Sequence, residues 1–267
     1  MMKKFLVAIL AVAAVATACK KEDPEGGSSA NVPTISLTLS ATQPQTRTYI
    51  EYAAPNWVPK WQKGDSLTVT YLQDGDYAAD CGFGNKSEDG ESGLFGGSVK
   101  LGNGTHTIYA FYPRRMKVSR SGQYYRFEVP AEQLVPKLGS FDPYSDLLVS
   151  SGTSLTIAGG ALKEAEPLRF SRVLAIARLV VQDATGGAKL SGKKIKSLSL
   201  QVPGAVLSGR VIVDLTKGII SGWEGAYNRD YVGVKYEGSD WAADGQTGAF
   251  VILNPTKFFL PFRRLRL

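Results

Sequence analysis

Thr34-Ile35-Ser36-Leu37-Thr38-Leu39-Ser40 alternates apolar and hydroxyl side chains without a break. A period of two places Ile35, Leu37 and Leu39 on one face of an extended strand and the hydroxyls on the other, the pattern of a strand buried on one side. The same period returns along the chain. Leu67, Val69 and Tyr71 share a face, as do Ile108, Ala110 and Tyr112, then Tyr125, Phe127 and Val129, then Leu198, Leu200 and Val202, and finally Val232, Val234 and Tyr236. Gln73-Asp74-Gly75-Asp76, Gly102-Asn103-Gly104, Ser121-Gly122 and Gly186-Gly187 separate them as turn signals. No long helical periodicity competes, although 161–166 could form a turn or two of helix. The expectation is an all-β chain of many short strands, hence a sandwich. Residues 173–181 are apolar on both faces apart from Arg178, which predicts a central strand.

The chain has 267 residues with 43% hydrophobic content, enough for one large or two ordinary domains, and two is the expectation. A boundary is placed near Glu166-Pro167, because proline cannot donate to a ladder and Gly159-Gly160 and Lys163-Glu164 have connector composition. This divides the folded part into 34–165 and 166–267. The net charge of +7 is spread out, with basic pairs beyond the N-terminal Lys3-Lys4 and Lys20-Lys21 only at Arg114-Arg115, Lys193-Lys194 and Arg263-Arg264. That is no footprint for nucleic acid, which is not expected as a partner.

The N-terminus carries an address. Lys3 and Lys4 lead into an apolar and small run over 5–18 that stops at Cys19 and is followed by Lys20-Lys21-Glu22-Asp23. The run is too short to span a bilayer, which takes about 20 apolar residues, and it ends in small residues, as a secretory signal does. Ala16-Thr17-Ala18 before Cys19 resembles a bacterial lipobox, although Ala16 stands where leucine is usual. The resemblance implies cleavage between Ala18 and Cys19, acylation of Cys19 and anchorage in the outer membrane, with residues 1–18 as signal peptide. An ordinary secretory signal would instead leave Cys19 as a free thiol. The charged run also resembles a surface-export tag of Bacteroidetes lipoproteins. Residues 19–33 are too poor in apolar groups to fold and read as a tether. With Cys19 acylated, Cys81 has no disulfide partner, and it reads as a buried small hydrophobe.

Thr46-Arg47-Thr48, Trp61-Gln62-Lys63-Gly64-Asp65-Ser66-Leu67, Tyr109-Ala110-Phe111-Tyr112-Pro113, Asp146-Leu147-Leu148 and Asn254-Pro255-Thr256 follow one another behind the lipobox. In order and spacing they resemble the landmarks of the fimbrillin family of Bacteroidetes lipoproteins (FimA/Mfa-like). The resemblance implies two transthyretin-like β-sandwich domains in tandem, forming, anchoring or capping a type V pilus on the cell surface. It implies other fimbrial subunits and an arginine-specific protease as partners. In the family the protease cuts behind the first strand, that strand leaves, and a strand of the next subunit enters the groove by β-augmentation. The matching positions are Arg47 for the cut and Ile35, Leu37 and Leu39 for the plug strand; in anchor or accessory members the arginine is not cut. The chain departs from the family after Thr256, where Phe258-Phe259-Leu260-Pro261-Phe262-Arg263-Arg264-Leu265-Arg266-Leu267 shows neither clean alternation nor turn chemistry. This leaves open whether the second sandwich is complete.

No enzyme is expected, and no cofactor or metal. The single histidine, His106, stands in a strand with no Gly-x-Ser-x-Gly elbow elsewhere. One histidine and one spare cysteine do not make a zinc site. Asp142 and Asp146 are the remaining carboxylate pair, but Asp142-Pro143 reads as turn chemistry. Glu88-Asp89-Gly90-Glu91 lacks the alternating oxygen spacing of a calcium loop and reads as a hairpin tip. A second function class stays open, a glycan- or ligand-binding surface lipoprotein in which Trp57, Trp61, Trp223 or Trp241 stack on sugar rings. It requires those tryptophans to share one exposed surface.

Overall fold

The structure, a computed structural model, describes residues 32–42, 49–53, 56–73, 76–77, 80–186, 189–238 and 240–255. The lipobox, most of the tether, Arg47 and the segment after Pro255 lie outside the described residues. Among the described residues the regular structure is strands and two short 3-10 turns, with no α-helix. The first half holds β1 (Thr34–Thr42), β2 (Tyr49–Ala53), β3 (Asn56–Lys60), β4 (Ser66–Gln73), β5 (Asp76–Tyr77), β6 (Cys81–Asn85), β7 (Gly93–Lys100) and β8 (Gly104–Tyr112). β9 (Lys117–Ser121), β10 (Tyr124–Val129), β11 (Glu132–Val135), β12 (Leu148–Ala158), β13 (Ala161–Ala165) and β14 (Leu168–Arg172) follow. The last six are β15 (Ala175–Gln182), β16 (Ser197–Gln201), β17 (Gly209–Asp214), β18 (Ile219–Trp223), β19 (Tyr231–Tyr236) and β20 (Asp244–Leu253).

One sheet closes on itself in the order β1-β7-β6-β4-β8-β12-β14 and back to β1. Closure leaves these strands few free edges. β13 adds to β12, and β5 to β4. Inside the ring, every alternating set read from 34–41, 67–71 and 108–112 meets in one cluster with Trp61, Phe83, Phe95, Phe170 and the buried thiol Cys81. The turn before β4 is built on a glycine and an aspartate. Gly64 sits at φ +93°, the Asp65 N–H donates to the Gln62 carbonyl (3.1 Å), and the Gln62 N–H donates to the Asp65 carboxylate (2.6 Å).

β8 and β12 form a wall buried on both faces. Ile108, Ala110, Tyr112, Leu148 and Leu155 point into the ring, while Tyr109, Phe111 and Val149 point outward into a second cluster. The sheet β18-β17-β10-β9 covers that outer face with Tyr125, Phe127, Val129, Val211 and Val213. The pair β15-β20 gives Ile176, Phe250 and Ile252 to the same cluster. Its opposite face, with Ala249, Val251 and Leu253, packs on a third cluster closed by β11-β19-β16. β20 is sealed along its far edge. The Gln133 side-chain amide donates to the Ile252 carbonyl (2.6 Å) and accepts the Ile252 N–H (2.8 Å), while the Phe250 and Asn254 N–H groups reach the Ser140 and Leu207 carbonyls.

Two expectations change. Residues 161–165 are a strand in a hairpin with β12, not a helical turn, because β12 presents an edge to them. The apolar segment 173–181 was expected to be central; β15 pairs only with β20 among the described residues. Ile176 packs on the second cluster and Ala175, Ala177 and Leu179 on the third, while Val180 on the Ile176 face is exposed, so an apolar run on both faces does not make the strand central. Pairing also crosses the expected 165/166 boundary in both directions. β10 pairs with β17 and β11 with β19, whereas β14 returns to β12 and β1. The apolar outer face of the wall draws β9 and β10 into the second cluster, while β11, next in sequence, joins the third through β19.

The ring is tied at β14 by an ion pair. Arg172 donates from Nε and Nη2 to the two oxygens of Asp146, both at 2.6 Å, with the Asp146 side chain at 0% exposure. Removing one partner strands a buried charge, which costs about 3–5 kcal/mol. Asp146→Ala is therefore expected to lower the unfolding free energy by that amount in urea titration, far more than truncation of the exposed Lys63–Glu88 pair, whose side chains are 67% and 81% exposed.

Candidate functional site

β1 sits between strands remote from it in sequence. Along one edge it runs antiparallel to β7, in register from Thr34 opposite Lys100 to Ala41 opposite Gly93. Along the other it meets β14 in parallel only at its end, Ala41 with Leu168 and Thr42 with Arg169. The strand following it in sequence, β2, pairs with β3 and not with β1. Among the described residues, β1 is thus held to the ring by hydrogen bonds and packing, and its chain connection onward passes through 43–48.

Ile35, Leu37, Leu39 and Ala41 are 4%, 3%, 0% and 0% exposed, and Thr34, Ser36 and Thr38 face outward. The alternation in the sequence arises because one face of β1 lines the ring's interior. Opposite Leu37 stands Gly97, where an added Cβ would lie 2.6 Å from Phe83 Cδ2 and 2.7 Å from the Gly82 carbonyl oxygen. Only glycine lets β7 lie so close to β6 there. Burying side chains of this size is worth about 1.5–3 kcal/mol each. Three of them approach the whole stability of an ordinary domain, about 5–15 kcal/mol. Loss of β1 from the ring would therefore cost a large part of the fold's stability.

The other candidates are scattered. His106, on β8, contacts the Gly102 carbonyl through Nε2 at 2.9 Å. Asp142 accepts the Tyr144 N–H and the Ser145 hydroxyl, both at 3.0 Å, as a turn former does, and Asp146 is committed to Arg172. Asp89 accepts the Lys63 N–H at 2.7 Å, so the acidic hairpin tip braces the turn before β4. No group of three or more metal-ligating side chains comes together among the described residues. Trp61 is 2% exposed in the first cluster, where it meets Phe95, Tyr112 and Phe170 edge-on, and Trp241 is 0% exposed in the third. Trp223 packs half-buried against the second cluster. These three therefore form no shared exposed platform; the Trp57 side chain lies outside the described residues.

Sequence reasoning did not find the Asp80 cluster. Asp80 accepts the Tyr125 hydroxyl (2.8 Å) and pairs with Lys117 and Arg120, which pins β9 and β10 to the loop before β6. Burial, then the Asp80 charge, pushes the Tyr125 phenol well above its ordinary pKa. Its members are separated by a β-hairpin and a crossover, and no spacing rule joins them.

No family model matches the sequence, and no curated protein matches it. Two solved structures are similar to it. One, described as a candidate cell adhesion protein from Parabacteroides distasonis, is 12% identical with a TM-score of 0.43, covering 83% of this chain and 70% of that one. The other, a fimbrial protein from Bacteroides ovatus, is 14% identical with a TM-score of 0.35, covering 68% of this chain and 44% of that one.

The two faces of β1 give a direct test. Leu39→Ala is expected to destabilise the protein by about 2–5 kcal/mol in chemical denaturation, as a cavity in a packed core does. Thr38→Ala, on the exposed face, is expected to stay within about 0.5 kcal/mol.

Proposed function

We propose that this protein is a cell-surface lipoprotein that serves as a subunit, anchor or tip of a fimbria, and that it joins its neighbours by exchange of β1 after cleavage behind Arg47. The observation that supports this reading best is the position of β1, a ring strand with its apolar face buried, whose lateral partners are β7 and β14 and whose onward connection runs through 43–48. A cut after Arg47 leaves it held by non-covalent contacts alone. The vacated groove then presents the free edges of β7 and β14 and an apolar trench lined by Phe83, Phe95 and Phe170. Such an edge recruits another strand, with main-chain bonds giving affinity and alternate side chains giving register. The fimbrillin resemblance supplies the protease and the polymer. Acylation of Cys19 supplies the anchor, since each buried CH₂ contributes about 0.8 kcal/mol and two or more acyl chains hold a protein on the membrane stably.

The folded protein is to be treated with an arginine-specific protease and its new N-terminus sequenced. A product beginning at Thr48 that forms higher oligomers, and that Arg47→Ala abolishes, is the expected result. Resistance at Arg47, or a cut product that stays monomeric, removes strand exchange from the proposal. Metabolic labelling with a fatty acid tests the anchor separately; label is expected on the wild type and lost in Cys19→Ala.

A further inference from the structure

The third cluster is sealed on one side and open on the other. On the β19 strand Val232 and Val234 are 0% and 2% exposed, whereas Leu198 and Leu200 on the adjacent β16 remain half-buried although they face the same cluster. β16 ends its sheet. The bonds Tyr236 N–H to Lys196 carbonyl and Val202 N–H to Asp230 carbonyl, both 2.8 Å, fix which residues turn toward β19. With Leu198 opposite Val234 and Leu200 opposite Val232, the even-numbered residues spend their backbone groups on β19. Ser197, Ser199 and Gln201 direct theirs outward, and among the described residues no strand receives them.

Edges left to water are normally guarded by charge, proline or a bulge. β9, another edge strand, carries Lys117 and Arg120 and has a register shift against β10. β16 has none of these between 197 and 201. Its sequence Ser-Leu-Ser-Leu-Gln is also nearly palindromic about Ser199.

From this we infer that the β16 edge is a self-association surface, where a second copy of this chain pairs antiparallel about a two-fold axis at Ser199. Ser199 then bonds its counterpart in both directions, and Ser197 pairs with the other copy's Gln201. Leu198 falls opposite the other copy's Leu200 in the closer, non-hydrogen-bonded position. The register extends the apolar face of one sheet into the other, covering the side chains each copy leaves half-exposed. Antiparallel pairing keeps the lysines of the two copies apart, because Lys196 falls opposite Val202, beside Asp230. A second copy supplies a matching edge from its own sequence: about the axis leucine meets leucine twice, and Lys196 of each copy lies beside Asp230 of the other. The surface lies away from β1 and stands whether or not β1 is exchanged.

Sedimentation of the full chain over a wide concentration range is expected to show a reversible dimer. Ser199 is exposed, so Ser199→Glu is expected to leave the circular dichroism spectrum and the melting temperature unchanged at concentrations where the wild type is monomeric. It sets two carboxylates against each other on the axis, and the dissociation constant is expected to rise by about tenfold or more. Ser199→Lys alone is expected to do the same, and an equimolar mixture of the two variants to recover the dimer as a heterodimer. A protein monomeric at every concentration, a dimer that Ser199→Glu does not weaken, or a mixture that does not recover overturns the inference.

Discussion

The arrangement depends on the wall made by β8 and β12, which is apolar on both faces. A sheet with one dry face can leave the other in water; this one cannot, because Tyr109, Phe111 and Val149 face outward opposite the side chains that line the ring. Each is large, and exposing them would forfeit about 1.5–3 kcal/mol apiece. The wall therefore demands a second layer, and β9, β10, β17 and β18 supply it. That layer is drawn from both halves of the chain, which is why pairing ignores the proline-marked break at 166–167.

β1 is the complementary feature. It contributes one buried face to the ring while its neighbours in space come from far along the sequence. A strand in a hairpin cannot depart without dragging its partner, but a strand inserted between two distant ones can be released by a single break. The same insertion makes its loss costly, because three large apolar side chains would leave the core with it.

Edges are treated differently in different places. The ring eliminates most of its edges by closure, and β20 is sealed by a side-chain amide that imitates a strand at Ile252. β9 carries charge. Against that background, among the described residues β16 presents an edge without charge, proline or bulge between 197 and 201, with half-covered leucines behind it.

The period-two alternation determined the strand class and, within most strands, which side chains face inward. Leu67, Val69, Tyr71, Tyr125, Phe127, Val232 and Val234 are all buried as their spacing requires, and Ile35, Leu37 and Leu39 were legible for the same reason. Turn chemistry at Gly64 and the Asp142 turn were also readable, because glycine and aspartate act on their own local backbone. Pairing was not. Whether β15 is central or lateral, that β13 is a strand, that β10 crosses to β17, and that Asp80 gathers Tyr125, Lys117 and Arg120 all depend on which edges and faces meet in space. Alternation reports how many faces of a strand are dry but carries no information on which strand lies beside it. That choice is made by the summed burial of the three clusters, a property of the folded chain as a whole.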